Sequence, residues 1–306
     1  INMVVNPVPS MSLTSTDSDN SFCQGANVTF TGAGAGAGTY QFFVNSVSQG
    51  APSASNTINS LAFTVGSYPV SVTGTLAGCT STSTLNVTVN ALPTAGITSN
   101  DLDNIICSGD QVNYTSTGGN IYLFSVNGLP QGSPSALNSF STSTLVNNDI
   151  VGVAVTNGAN CTSTTAFAPI TVNTVPVATL TSSDADNQIC VNDNVTFTGS
   201  GATLYEFFVA GVSQGAPSAA NTFSTNTLTN GQSVMVIGSV LGCPDNSNTI
   251  NTVVFGPPTV NLLNNGPSEI CSGQSTNLLA TGATNYQFTI NGSPIGGGID
   301  QGFYPN

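Results

Sequence analysis

Lysine, arginine and histidine are absent from all 306 residues, while aspartate and glutamate total 13, so the chain carries a formal charge of −13 with no internal counter-charge. Salt bridges between side chains are excluded. Binding nucleic acid or an anionic membrane surface depends on Lys and Arg neutralising phosphates, and neither partner fits this chain. Histidine bases, Schiff-base lysines and arginine clamps are excluded on the same ground, which leaves Asp, Glu, Ser, Thr, Tyr or Cys without a basic partner. The composition predicts that the chain is not an enzyme. No run of 18 apolar residues occurs, so no membrane insertion is expected. The opening INMVVNPVP lacks the basic start of a signal peptide, which places any export signal outside this segment.

What is present points to folded, exported modules. Hydrophobic residues make up 39% of the chain, enough to build a core. The cysteines Cys23 and Cys79, Cys107 and Cys161, and Cys190 and Cys243 stand as three pairs of nearly constant spacing, with Cys271 left over. Regular spacing without CxxC or histidine favours disulfides over zinc, and an oxidising, extracellular, cell-surface location. Pairing within a module (Cys23 with Cys79, Cys107 with Cys161, Cys190 with Cys243) is the default expectation, and pairing between neighbours, which would staple the joints, is the alternative. A bridge closing a loop of about 55 residues is worth roughly 4 kcal/mol in the chain-entropy model.

The chain is a repeat. The first cysteines Cys23, Cys107, Cys190 and Cys271 recur at nearly equal intervals, and Pro9, Pro93, Pro176 and Pro257 each precede one of them by the same distance. The boundaries expected are the last strand of a preceding module at 1–9, modules at 10–93, 94–176 and 177–258, and a partial fourth at 259–306. A segment cut from a longer array accounts for both ends. Period-two alternation, as in Val195 and Phe197 or Val234 and Val236, predicts strands with one buried face, and no stretch has helical periodicity. Asn127-Gly128 and Asn291-Gly292 are expected to form tight hairpin turns. About seven short strands per module imply an all-β, immunoglobulin-like sandwich, repeated as a linear array. Tyr40, Tyr122, Tyr205 and Tyr286 share one position in the third strand and are expected in the core or at its rim. GAGAGAG at 32–38 is expected to be a flexible loop tip.

Before three of the first cysteines stands a D-x-D-N phrase: Asp17, Asp19 and Asn20; Asp101, Asp103 and Asn104; Asp184, Asp186 and Asn187. Two readings stay open. Asp and Asn commonly cap turns by bonding nearby backbone, and module four, where Asn265 and Pro267 replace the acids, turns the same corner without them. Alternatively, two carboxylates and an amide oxygen are hard ligands that suit Ca2+, which would also relieve the repulsion between the acids. A glycosidase-like acid pair is set aside, because three tandem copies in turns offer no cleft. No catalytic residue is assigned.

The phrase SDADNQICVNDNVTFTGSGATLYEFFVAG at 183–211 and its counterparts, with GC or NC after the sixth strand, resemble the PKD-like and immunoglobulin-like repeats of large Bacteroidetes surface proteins, gliding-motility adhesins among them. The resemblance covers essentially the whole chain. It departs from ordinary PKD domains, whose third strand carries WDFGDG; here that strand has no Trp. The resemblance implies type 9 secretion and a non-enzymatic role in cell adhesion as a stalk or filament segment, with neighbouring modules as partners. The alternatives are an array of modules binding surface glycans, attached to a secreted enzyme, and a homopolymeric filament subunit pairing with other chains.

Overall fold

Alternating apolar residues and glycine-rich turns build strands throughout the computed structural model, which describes residues 2–36, 38–60, 63–298 and 302–303, and no helix occurs among them. Module one defines the pattern. Its strands are β1 (Ser12–Ser15), β2 (Ser21–Cys23), β3 (Thr29–Ala33), β4 (Thr39–Val44), β5 (Val47–Ser48), β6 (Thr57–Asn59), β7 (Gly66–Leu76) and β8 (Cys79–Asn90). One sheet has the order β1-β3-β6 and the other β2-β8-β7-β4-β5. The first strand is therefore split: β1 pairs antiparallel with β3, and after the acidic phrase the chain crosses to the second sheet, where β2 runs parallel to β8. This parallel closure between the start and the end of a module makes the sandwich immunoglobulin-like.

The same strand pattern recurs from Gly96 to Asn173 and from Thr179 to Phe255. Gly96–Ser99, Val112–Thr117 and Ser139–Thr142 form one sheet of module two, and Ile105–Cys107 runs parallel to Thr171–Asn173. Pro169, which has no N–H to donate, interrupts the last strand between Thr162–Ala166 and Thr171–Asn173. In module three Gln188–Cys190 runs parallel to Val253–Phe255. Residues from 259 onward supply Asn261–Asn264, Leu278–Thr281 and Gly302–Phe303 as one sheet and Tyr286–Ile290 with Ser293–Gly298 as a hairpin.

Each of the first three modules has its own core. Module one buries Phe30 and Leu13 from one sheet against Phe22, Phe42, Val70, Val72, Val87 and Val89 from the other. Module two centres on Val112, Tyr114, Phe124, Val153, Val155 and Ile170, and module three on Val195, Phe197, Phe207, Val234 and Val236. Each fully buried side chain of this size contributes about 1.5–3 kcal/mol. The aromatic phrase belongs to these cores: Tyr40, Tyr122, Tyr205 and Tyr286 are 7–9% exposed. The hydroxyls of Tyr122 and Tyr205 donate to Gly119 O and Ala202 O at 2.6 Å, a carbonyl three residues upstream.

Asn127-Gly128 and Asn291-Gly292 do turn with both φ positive, at 51° and 78° and at 44° and 81°. GAGAGAG departs from expectation. Gly32 and Ala33 end β3, and Ala35 is fully buried against the core, so only part of the phrase is a loop; residue 37 lies outside the described residues. Gly34 has φ 110°, and a Cβ there would stand 1.8 Å from Ser10 O, just after the joint proline. Gly118, Gly201 and Gly282 meet Thr94 O, Val177 O and Thr259 O in the same way.

Candidate functional site: the stapled joint and its acidic crossover

The joint between modules one and two is assembled by strand ends. Parallel pairing of β2 with β8 sets Cys23 opposite Asn90, and Gln24 N–H donates to Asn90 O at 2.9 Å. From Asn90 the chain runs directly into module two. There the Asn157 side-chain amide donates to Ala91 O at 2.9 Å, while its Oδ1 accepts the N–H groups of Ala159 and Cys161, both at 3.0 Å. Asn157 thus shapes the turn before the last strand of module two and holds the incoming chain against it. The two cysteines so placed, Cys23 and Cys161, form a disulfide with Cα atoms 5.6 Å apart.

This pairing overturns the within-module expectation. Cys23 is bonded to Cys161, so neither Cys23–Cys79 nor Cys107–Cys161 exists; Cys79, Cys190 and Cys271 are free, which removes Cys190–Cys243 as well. The reason is distance. Cys79 opens β8, and Cys23 lies beside its last residue, Asn90. Eleven steps of roughly 3.3 Å put the two cysteines about 36 Å apart, against the 4.4–6.8 Å that a disulfide spans. Module one carries its first cysteine at one end and its second at the other, so the bond crosses the joint. Cys107 and Cys243 are also disulfide-bonded.

The acidic phrase is the crossover that makes this placement possible. Asp17 Oδ1 and Asp19 Oδ1 both accept the N–H of Ser21, at 2.9 and 3.1 Å. Asp184 and Asp186 converge on the N–H of Gln188 in the same manner, each at 3.1 Å. In module two the donors are adjacent: Asn104 N–H to Asp101 at 2.5 Å and Ile105 N–H to Asp103 at 3.2 Å. The Asn that follows takes a left-handed conformation, φ 57°, 61° and 59° at Asn20, Asn104 and Asn187. Its carbonyl then accepts the first bond of the parallel ladder, from Thr88, Thr171 and Val253. Ser15, Ser99 and Ser182 add a hydroxyl to the N–H of the first Asp of each pair. The Ser, both Asp and the Asn of S-x-D-x-D-N therefore each have a role in turning the chain from one sheet to the other, which is the turn-chemistry reading of the phrase. In the fourth copy the side chain of Asn264 takes over, accepting from Gly266 N–H and Thr276 Oγ1 at 3.0 Å. No cluster of three or more His, Cys, Asp or Glu able to hold a metal occurs among the described residues.

The sequence does not single out Asn157. Its only signal is that NGANC in module two is longer than the AGC and LGC turns of its neighbours, where Ala77-Gly78 and Leu241-Gly242 suffice.

No known protein family and no curated protein matches the chain. Solved structures that it resembles are built from immunoglobulin-like or fibronectin-like domains. The ICAM-5 D1–D4 ectodomain fragment is 10% identical, with 97% of this chain and 91% of that one covered at a TM-score of 0.33. The eight N-terminal Ig domains of Down syndrome cell adhesion molecule are 9% identical over 92% of this chain and 41% of that one, at 0.40. The fibronectin(III)-like modules of Clostridium thermocellum CbhA are 12% identical over 53% and 93%, at 0.36.

Proposed function

We propose that this chain is a segment of an extracellular, non-enzymatic stalk in which sandwich modules follow one another and are locked at their joints. The observation that carries the reading is the Cys23–Cys161 bond, which joins one module to the next and needs an oxidising compartment to form. A bond inside a module would harden that module alone; a bond across the joint resists bending and pulling between modules. The absence of any Lys, Arg or His supports a role without acid–base or phosphate chemistry. No described helix is long and apolar enough to cross a membrane.

The finer assignment, to the PKD-like repeats of giant Bacteroidetes surface adhesins exported by type 9 secretion, belongs to the same proposal and rests on the phrases quoted above. An array of glycan-binding modules is less well supported, because the recurring tyrosines that could form a stacking platform are buried.

Small-angle scattering tests the stalk. About 3.5 modules, each about 40 Å long as set by a 12-residue strand at roughly 3.3 Å per residue, give a rod with a radius of gyration of about 40 Å. A compact chain of this length has a radius of about 19 Å. The rod-like value, growing less uniform after reduction, is expected, and the compact value would refute the stalk.

A further inference from the structure

Residues 1–6, INMVVN, repeat the pattern of LNVTVN at 85–90, the end of β8. In β8 the side chains of Val87 and Val89 are 2% and 1% exposed, inside a complete sandwich to which β2 brings Cys23 opposite Asn90. Met3 and Val5, at the matching positions, are both 86% exposed. Asn6 nonetheless sits at a formed joint: its side-chain amide donates to Ala77 O at 3.1 Å, and its carbonyl accepts from the Cys79 thiol at 3.5 Å. One repeat later Asn157 holds Ala91 O, and Cys161, the counterpart of Cys79, is bonded to Cys23. Residues 3–6 thus form an exposed, largely apolar segment beside a free thiol whose equivalent forms the staple.

We propose that residues 3–6 and Cys79 form a docking site for a cysteine-bearing β-strand of a further module of this repeat. The incoming strand pairs in parallel with residues 3–6, sets its cysteine opposite Asn6 and closes a disulfide with Cys79. The rule is the one that joins Cys23 to Cys161: the first cysteine of a module bonds the second cysteine of the next. The exposed thiol of Cys190, a first cysteine, is the complementary half for a module that follows. Closing the bond takes two electrons and two protons from two thiols, and a low-molecular-weight disulfide such as oxidised glutathione receives them. The Cys79 thiolate attacks it and releases one reduced glutathione; the incoming thiolate then displaces the second. The inference deepens the stalk reading and rests on it only for the head-to-tail order of modules.

The test adds a module to the whole chain. A copy of residues 10–84 is placed directly before Ile1, so that residues 1–6 become its last strand, and the protein is folded in a glutathione redox buffer. A companion chain carries a copy of residues 10–90 in place of residues 1–6, so that failure of the hybrid strand to pair cannot hide the result. Peptide mapping without reductant, using pepsin because trypsin has no site, should join the copy's Cys23 to Cys79 in at least one of the two chains. Cys79→Ala should leave the copy's Cys23 open to alkylation. If that cysteine is alkylated in both chains, or bonds within its own module, the proposal fails. A compact scattering profile with the bond present would instead refute the stalk and leave the docking site standing.

Discussion

Asp17 and Asp19 share a single donor, the N–H of Ser21, although no basic residue stands anywhere in the chain to offset two adjacent carboxylates. The pair tolerates its repulsion because each oxygen receives a hydrogen bond at the point where the strand leaves one sheet for the other. Placing β2 against β8 then delivers Cys23 to the joint, so the turn and the staple are one construction.

Substitutions at the crossover should weaken it unequally. Asp17→Ala or Asp19→Ala leaves one acceptor in place and is expected to cost about 1 kcal/mol in chemical denaturation. Asn20→Gly keeps the left-handed conformation and should change stability by only a few tenths of a kcal/mol, whereas Asn20→Val should cost on the order of 2 kcal/mol. Calcium or chelator should shift the melting temperature by less than about a degree, since the carboxylates already serve the backbone. A rise of several degrees with calcium, abolished in Asp17→Asn/Asp19→Asn, would assign the turn to a metal.

Removing the staple should be costlier. Cys23 and Cys161 are 138 residues apart, and in the chain-entropy model a loop of that size contributes about 5 kcal/mol. Cys23→Ala/Cys161→Ala should therefore unfold well before the parent in denaturant. The parent in reductant, where Cys107 and Cys243 are also reduced, should unfold no later than the double variant, and an unchanged midpoint in the double variant would show that the joint is held by other contacts.

The glycine behind each joint proline makes a sharper prediction. A Cβ on Gly118 would lie 2.0 Å from Thr94 O, with φ at 102°, so Gly118→Ala must move the backbone and should cost more than about 3 kcal/mol. Gly128, also at positive φ, has nothing within 4 Å of its Cβ position. Gly128→Ala should cost only about 1 kcal/mol. Equal losses at the two sites would mean that conformation, not the close approach, sets the requirement.

Much of this was legible in the chain itself. Alternation at Val28 and Phe30, Val195 and Phe197, or Val234 and Val236 specifies strands because a pleated chain has only two faces, and these residues are core residues. The D-x-D-N corner was legible as a turn, since module four keeps the corner without the acids. Cysteine pairing was not, because the regular spacing fits a bond within a module as readily as one across a joint. What decides it is that the first strand splits and its second half runs parallel to the last strand, which sends Cys23 to the far end from Cys79. Parallel direction leaves no mark in period-two alternation. Asn157 escaped for a related reason: its partner, Ala91, is identified only by the fold.

Tyr114 is a core position where module two departs from its neighbours, which carry Phe30 and Phe197 in the same register. Its side chain is fully buried and its hydroxyl has no hydrogen-bond partner. Burial, and after it the charges of Asp101 and Asp149, raise its pKa above the usual value. A buried donor left unpaired costs about 1–3 kcal/mol, so Tyr114→Phe is expected to stabilise the protein by about 1 kcal/mol at neutral pH. The pH dependence has a definite sign. The folded state holds the phenol proton more tightly than the unfolded state does, so this group's contribution is fully present below the unfolded value of about 10 and is lost as pH rises beyond it. The advantage of Tyr114→Phe should therefore widen as the pH rises through about 10 in urea titrations. A constant difference over that rise would mean that the phenol ionises as easily folded as unfolded and is reached by solvent.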